Sequence, residues 1–257
     1  MPPKVTIIIT VYNGSKYIDY SIKSVINQTY KSWELIIVND CSTDTTREII
    51  EKYKSKKIKI INLKKNLGAY KAINIATKYI HGEYTAFLDS DDLFHPKKIF
   101  AQVKFLENNK EVALVATWYK ILNDKGIFFK NIKITESRFE FNRIFPCLNI
   151  LCNSSVMLRS ELFKQFKFYD KKIIYAYDYN FFLKIFREYK FYIINKFYTY
   201  YRMHNNQRTK LKKNKKIIFK ENIYHLNWSK KNKLINNHNI FLYYWRSTIN
   251  YFKFFFF

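Results

Sequence analysis

The chain has 257 residues with 46 Lys and Arg against 20 Asp and Glu, a formal charge of +26, and only 4 Gly and 4 Pro beside 24 Phe and 22 Tyr. That length accommodates one domain with an appendage or two small domains. Three scattered cysteines, Cys41, Cys147 and Cys152, argue against a disulfide framework and for a reducing compartment.

Val5–Val11 is a continuous, largely β-branched run, the pattern of a parallel strand covered on both faces. It is too short for the apolar segment of a signal peptide, so secretion is not expected. Ile18, Ile22, Val25 and Ile26 recur at helical spacing, and residues 33–38 form a second apolar run. Residues 42–53 are predicted helical, opened by the capping-box pattern Thr45-x-x-Glu48. Residues 58–63 make a third strand, 70–79 a helix and 84–88 a fourth strand, and a helix runs from Pro96 to about Glu107. Strands alternating with helices of this length indicate βαβ units and a mainly parallel sheet, a nucleotide-type α/β half over the first ~110 residues. No Gly-x-Gly-x-x-Gly follows the first strand and no P-loop occurs, which argues against dinucleotide dehydrogenases and P-loop NTPases.

Further along, residues 112–119 read as a strand and Asn123-Asp-Lys-Gly126 as a hairpin turn. Residues 155–158 form a short strand before a helix from Ser160, residues 177–188 a helix, and residues 197–202 a last strand that delivers His204. Residues 206–257 hold twelve basic residues and a single acidic one, Glu221. Residues 239–257 are rich in aromatics around Trp245, yet Arg246 and Lys253 interrupt them, so the requirement of a membrane-spanning helix is not met. Cationic and aromatic residues together suit an anionic membrane face; the alternative is a solvated helix with a packed end.

Ligands of open α/β sheets gather outside the carboxyl ends of the strands. There the chain places Tyr12-Asn13-Gly14 after strand one, Asp40 and Asp44 after strand two, and Asp89-Ser-Asp-Asp92 after strand four. On an extended chain Asp89 and Asp91 face one way and Asp92 the other. Three close carboxylates repel one another unless a divalent cation or a hydrogen-bonded ligand offsets the repulsion. Helix capping is the plainer reading of such residues, but one cap does not require three carboxylates. An aromatic ring, amides and carboxylates on one rim suit a base, a ribose and a metal-held diphosphate.

Four motifs, residues 5–13, 38–44, 66–74 and Leu88-Asp-Ser-Asp-Asp92, stand in the order and spacing of glycosyltransferase family 2, and the chain resembles that family and its GT-A fold. The resemblance is firm over residues 4–120, looser to His204 and absent beyond about residue 210. It implies a GT-A-type, mainly parallel sheet flanked by helices over residues 1–205, with a nucleotide half to about 110 and an acceptor half over 111–205. Residues 206–257 are then a basic, aromatic-rich helical extension. By the same resemblance Tyr12 lies against the nucleobase beside Asn13, Asp40 hydrogen-bonds the base, Asp44 supports that loop, Asn66 and Gly68 shape the loop beside the nucleotide, and Asp89 faces the ribose. Asp91 is expected to bind Mg²⁺ or Mn²⁺, with His204 of Tyr201-Arg-Met-His204 approaching the metal or diphosphate. Asp178 is the expected general base, taking the acceptor hydroxyl's proton. Two departures stand out: Tyr177 replaces a Glu that the family carries before the Asp, and Ile73 stands where relatives often have Arg.

The implied function is a metal-dependent, inverting, non-processive transfer of a sugar from a UDP-sugar to a hydroxyl of a saccharide or lipid-linked acceptor. The setting is cell-envelope polysaccharide or lipopolysaccharide assembly, in the cytoplasm and peripherally at the inner face of the cell membrane. The motif Gln-x-x-Arg-Trp of processive relatives is absent. The alternatives are a non-catalytic nucleotide-sugar-binding relative and a basic nucleic-acid-binding protein. No nucleic-acid partner is expected, since the aromatics fall mostly in core patterns and the acidic cluster repels phosphates.

Overall fold

In the first strand, β1 (Val5–Val11), side chains alternate between two cores. Ile7 and Ile9 join Ile18, Ile22, Leu35 and Ile99 on one side, and Ile8 joins Ile36, Ala72, Phe87 and Phe182 on the other. A strand covered on both faces needs apolar residues at successive positions, which is why the sequence shows an unbroken run rather than alternation. Each fully buried Ile contributes about 1.5–3 kcal/mol by leaving water. The structure is a computed structural model describing residues 2–135, 137–166, 173–208 and 211–236.

β1 is flanked by β2 (Trp33–Asn39) and β4 (Tyr84–Phe87), and β3 (Ile58–Asn62) lies outside β2; all four run parallel. The helices α1 (Ile18–Ile26), α2 (Thr46–Glu51) and α3 (Ala69–Ala76) connect them. After β5 (Leu93–Phe94) and α4 (Lys98–Asn108), the sheet continues through β6 (Val112–Leu122), β7 (Phe128–Ile132), β8 (Met157–Arg159) and β9 (Lys190–Arg202). The strand order is β3-β2-β1-β4-β8-β6-β9-β5, with β7 paired to β6. The helices α5 (Arg138–Ile144), α6 (Leu162–Gln165) and α7 (Tyr177–Phe186) belong to this second half, and α8 (Lys212–Lys231) follows it. Among the described residues no helix is long and apolar enough to cross a membrane.

Several local expectations shift. The predicted helix over residues 42–53 is confined to Thr46–Glu51, and Thr45 makes no side-chain cap. Asp44 does that work instead, accepting from the Thr46 amide at 3.0 Å and from the Thr46 hydroxyl. The last strand begins at Lys190 rather than Phe197, its register slips between Thr117 and Tyr119 of its parallel neighbour β6, and on its other edge it pairs with β5. Ile73 is buried in the α3 face of the core.

α8 is basic on the outside yet packs inward. Glu221, His225, Leu226 and Ser229 are buried, and the His225 ring stands edge-on to Tyr179 at 5.0 Å. The aromatic stretch of residues 239–257 lies outside the described residues.

Candidate active site

Strand order reverses direction between β1 and β4, and at such a switch point the loops splay apart and leave a crevice beyond the strand ends. β4 ends at Phe87, the Leu88 amide still donates to Ile8 O at 3.0 Å, and Asp92 N donates to Asp89 O at 3.1 Å. The acidic segment is thus a turn rather than extended chain. The turn, not strand alternation, sends Asp92 inward and leaves Asp89 and Asp91 partly exposed.

Asp92 is fully buried; its carboxylate accepts from the Arg202 amide at 2.8 Å and the Ser154 hydroxyl at 2.6 Å. It therefore anchors the end of β9 to the end of β4. Burial, then Asp91 and Asp89, push its carboxyl well above the usual range. Asp89 accepts from Asn153 Nδ2 at 2.9 Å, and its amide donates to Ser154 Oγ at 3.0 Å. Burial, then the neighbouring Asp91, raise Asp89 to about 7, with Asp178 adding to the rise. Asp91 Oδ2 lies 2.9 Å from His204 Nε2. The His204 ring sits 4.9 Å from that of Tyr17, and the Arg202 guanidinium lies 5.0 Å from the same Tyr17 ring while its Nε donates to Asp91 O at 2.9 Å.

The rim over β1 and β2 is built from short polar residues. Tyr12 is half exposed. Asn13 takes a left-handed φ of 50°, which Asn tolerates, and its Oδ1 accepts from Thr43 N at 2.8 Å. Asp44 bridges back to Ser15 N at 3.2 Å, tying the two loops together. Asp40 is buried, with both carboxylate oxygens taken by backbone: Leu67 N at 2.7 Å and Gly68 N at 2.8 Å. Asn66 Oδ1 also accepts from Gly68 N, at 3.2 Å. Gly68 has φ +87°, a conformation that a side chain would strain, and it opens α3. Asp40 is placed as the brace of the loop carrying Asn66 and Gly68.

On the opposite side, Asp178 lies in the first turn of α7 and accepts from the Tyr179 amide at 2.7 Å. Burial raises it to about 6, against the opposing pull of that amide and of the Arg208 guanidinium. Tyr177, the residue replacing Glu, packs 6.5 Å from Tyr70, and burial followed by the charge of Asp89 holds its hydroxyl protonated. Arg208 stacks over Tyr175 at 5.0 Å and Tyr177 at 5.8 Å and donates to Ile174 O at 2.9 Å.

Sequence reasoning missed Glu221. From the middle of α8 its carboxylate accepts from three consecutive amides, Ile174 at 2.6 Å, Tyr175 at 3.0 Å and Ala176 at 2.9 Å, immediately before α7. Its signal was legible, as the one acidic residue in a strongly basic tail. Asn153, Ser154 and Arg208 carried no such signal.

Among the described residues no group of three or more His, Cys, Asp or Glu side chains converges as a metal cage. Asp91 and His204 supply one carboxylate oxygen and one imidazole nitrogen side by side. That donor pair fits a small hard cation such as Mg²⁺ or Mn²⁺, which takes few protein ligands, and Asp91 and His204 are the residues that would hold it.

A sequence profile of glycosyl transferase family 2 matches residues 6–167. An uncharacterized glycosyltransferase of Methanocaldococcus jannaschii is 33% identical over 252 residues, covering 95% of this chain and 84% of its own. This match carries the similarity well past residue 210, where the motifs alone had suggested that it ends. The putative teichuronic acid biosynthesis glycosyltransferase TuaG of Bacillus subtilis is 38% identical over 126 residues, 48% of this chain and 50% of that one. The crystal structure of S. aureus TarS in complex with UDP-GlcNAc superimposes with a TM-score of 0.66 at 26% identity, over 79% of this chain and 60% of TarS. The curled α/β sheet with its flanking helices is the GT-A arrangement that the motifs implied.

Proposed function

The chain belongs to glycosyl transferase family 2 and is a glycosyltransferase, and on that premise we propose that it moves one sugar at a time from a UDP-sugar to a hydroxyl of an envelope saccharide or lipid-linked acceptor, with inversion and with a divalent cation. The observation carrying this reading is the pairing of Asp91 with His204 at the β1/β4 crevice, beside Asp89, whose carboxyl the charges of Asp91 and Asp178 help to raise. The UDP-linked donor is supported by the TarS complex with UDP-GlcNAc, and the envelope setting by the name of TuaG.

In the transfer, Asp178 accepts the acceptor's proton as that oxygen attacks the anomeric carbon. The bond from that carbon to the phosphate oxygen breaks, and its electron pair leaves with the nucleoside diphosphate. Asp91 and His204 would hold the cation, and the chemistry it would supply when bound is stabilisation of negative charge on the departing diphosphate. Asp89 meets the ribose, and Tyr12, Asn13, Asp40, Asp44, Asn66 and Gly68 form the base-side rim, Asp40 and Asp44 by bracing loops. α8 closes the acceptor side through Glu221, which holds the segment leading into Asp178.

The test is a panel of nucleotide sugars with Mn²⁺, read as nucleotide release. UDP release from at least one UDP-sugar is expected; release from GDP-sugars alone would overturn the donor assignment, and release unaffected by EDTA the metal requirement.

A further inference from the structure

The β6–β7 hairpin carries a feature that sugar transfer does not use. Ile127, Phe128 and Phe129 are consecutive and are 60%, 52% and 70% exposed. Three large apolar side chains in a row on a solvated edge are a defect of a soluble surface unless something covers them. β7 pairs with β6, and among the described residues no strand lies on its other side.

The surroundings say what kind of partner fits. Lys125 and Lys130 are exposed on the hairpin and Lys133 just beyond it, and the Lys120 ammonium lies 5.7 Å from the Phe128 ring. The one acidic residue of the hairpin, Asp124, is held by Lys16 at 2.6 Å and by the Tyr17 hydroxyl. A second copy of this chain would bring the same lysines face to face, and each copy carries a formal charge of +26. Aromatic side chains ringed by unopposed lysines match the interface of an anionic bilayer, with rings among the headgroups and ammonium groups on the phosphates.

The hairpin is also rigidly joined to the candidate site. Gly126, at φ +83°, closes a turn in which Asn123 N donates to Ile127 O at 2.9 Å. Arg202 Nη1 donates to Asp124 O at 3.4 Å, and the Arg202 amide is held by Asp92, two residues before His204.

We infer that the β6–β7 hairpin is a membrane-docking element, seating Ile127, Phe128 and Phe129 in the interface of an anionic lipid bilayer while Lys125, Lys130 and Lys133 engage lipid phosphates. The docking stands on the exposed residues alone. Its consequence, that the crevice meets lipid-linked acceptors at the headgroup level, rests on the proposed transfer reaction.

The experiment is flotation of the full chain with phosphatidylcholine vesicles with and without roughly 30 mol% phosphatidylglycerol, at about 0.1 M salt. Wild type is expected to partition at least ~10-fold more strongly onto the anionic vesicles, and the triple variant Ile127→Ser, Phe128→Ser, Phe129→Ser to lose about 10-fold or more of that binding. Lys125→Glu with Lys130→Glu is expected to do the same, while Phe100→Ser, which removes an aromatic of similar exposure on α4, keeps wild-type binding. All these positions are exposed, and UDP affinity of each variant verifies its fold without touching the proposed catalytic groups. Absence of vesicle binding by wild type, or undiminished binding by the triple variant, as association through residues 206–257 would give, overturns the inference. So does a concentration-dependent dimer abolished by the triple variant while lipid binding persists. Inactivity toward every nucleotide sugar would count against the transfer reading and leave the flotation result standing.

Discussion

Asp91 Oδ2 and His204 Nε2 approach to 2.9 Å although 113 residues separate them in sequence. The contact exists because Asp92 grips the Arg202 amide and Arg202 returns a hydrogen bond to Asp91 O, so the turn after β4 and the end of β9 are stapled together. Replacing either member of the pair is expected to weaken Mn²⁺-supported UDP binding by about 10- to 100-fold, with little loss of folding stability because both are partly exposed. Calorimetry of UDP with and without Mn²⁺ measures it. Metal-enhanced binding undiminished in both Asp91→Ala and His204→Ala would refute the assignment.

Asp178, with its carboxyl raised to about 6, is expected to impose an acid limb on kcat. A general base works only when deprotonated, so the rate falls toward tenfold per pH unit below about 6 and levels above it. Asp178→Asn removes the limb and lowers kcat by about 100-fold or more. A pH profile of nucleotide release from pH 5 to 8 decides this; an unchanged limb in the variant assigns it to another group.

Glu221→Ala leaves three backbone amides without their acceptor and frees the segment that aims Asp178. Stability is expected to drop by about 2–4 kcal/mol and kcat to fall, with donor KM nearly constant. Glu221→Gln, which keeps the shape but loses the charged acceptor, should lie between. Urea denaturation alongside steady-state kinetics tests both halves.

Lys98 is fully buried, its ammonium 2.8 Å from Gln102 Oε1 and 4.1 Å from the Phe94 ring, and burial lowers its pKa to about 7. The folded value lies below the unfolded one, so between about pH 7 and 10.5 the unfolded chain binds more protons and this group's contribution to stability rises with pH. Measured against Lys98→Met, wild type should gain up to about 1.4 kcal/mol per pH unit across that window. Denaturation series of both proteins from pH 6.5 to 9.5 would show parallel curves if the ammonium were not penalised.

Much of the architecture was legible because β1 to β4 are either buried on both faces or bounded by turn residues, and such strands carry their own pattern. Asp89, Asp91 and Asp92 were visible as a cluster for the same reason, at the end of an apolar run. The cap at α2 was misread because Asp44 and Thr45 are both good cap residues by type, and only the three-dimensional approach of Ser15 and the Thr46 amide selects Asp44. β5 escaped notice since two residues have no period, and its strand character comes wholly from pairing with Leu93↔Tyr200 and Phe94↔Thr199.

By itself the sequence determined which residues stand at the carboxyl ends of the parallel strands, since hydrophobic period and chain order settle that locally. Only the tertiary structure decided what each of those carboxylates does: Asp40 braces a loop, Asp92 is swallowed to pin β9, Asp91 is left to meet His204, and Glu221 reaches over from α8 to hold the approach to Asp178. The physical reason is that a carboxylate's role follows from its nearest donors and its exposure, and here those donors arrive from strands and helices tens to more than a hundred residues away, brought in by sheet pairing that no local pattern encodes.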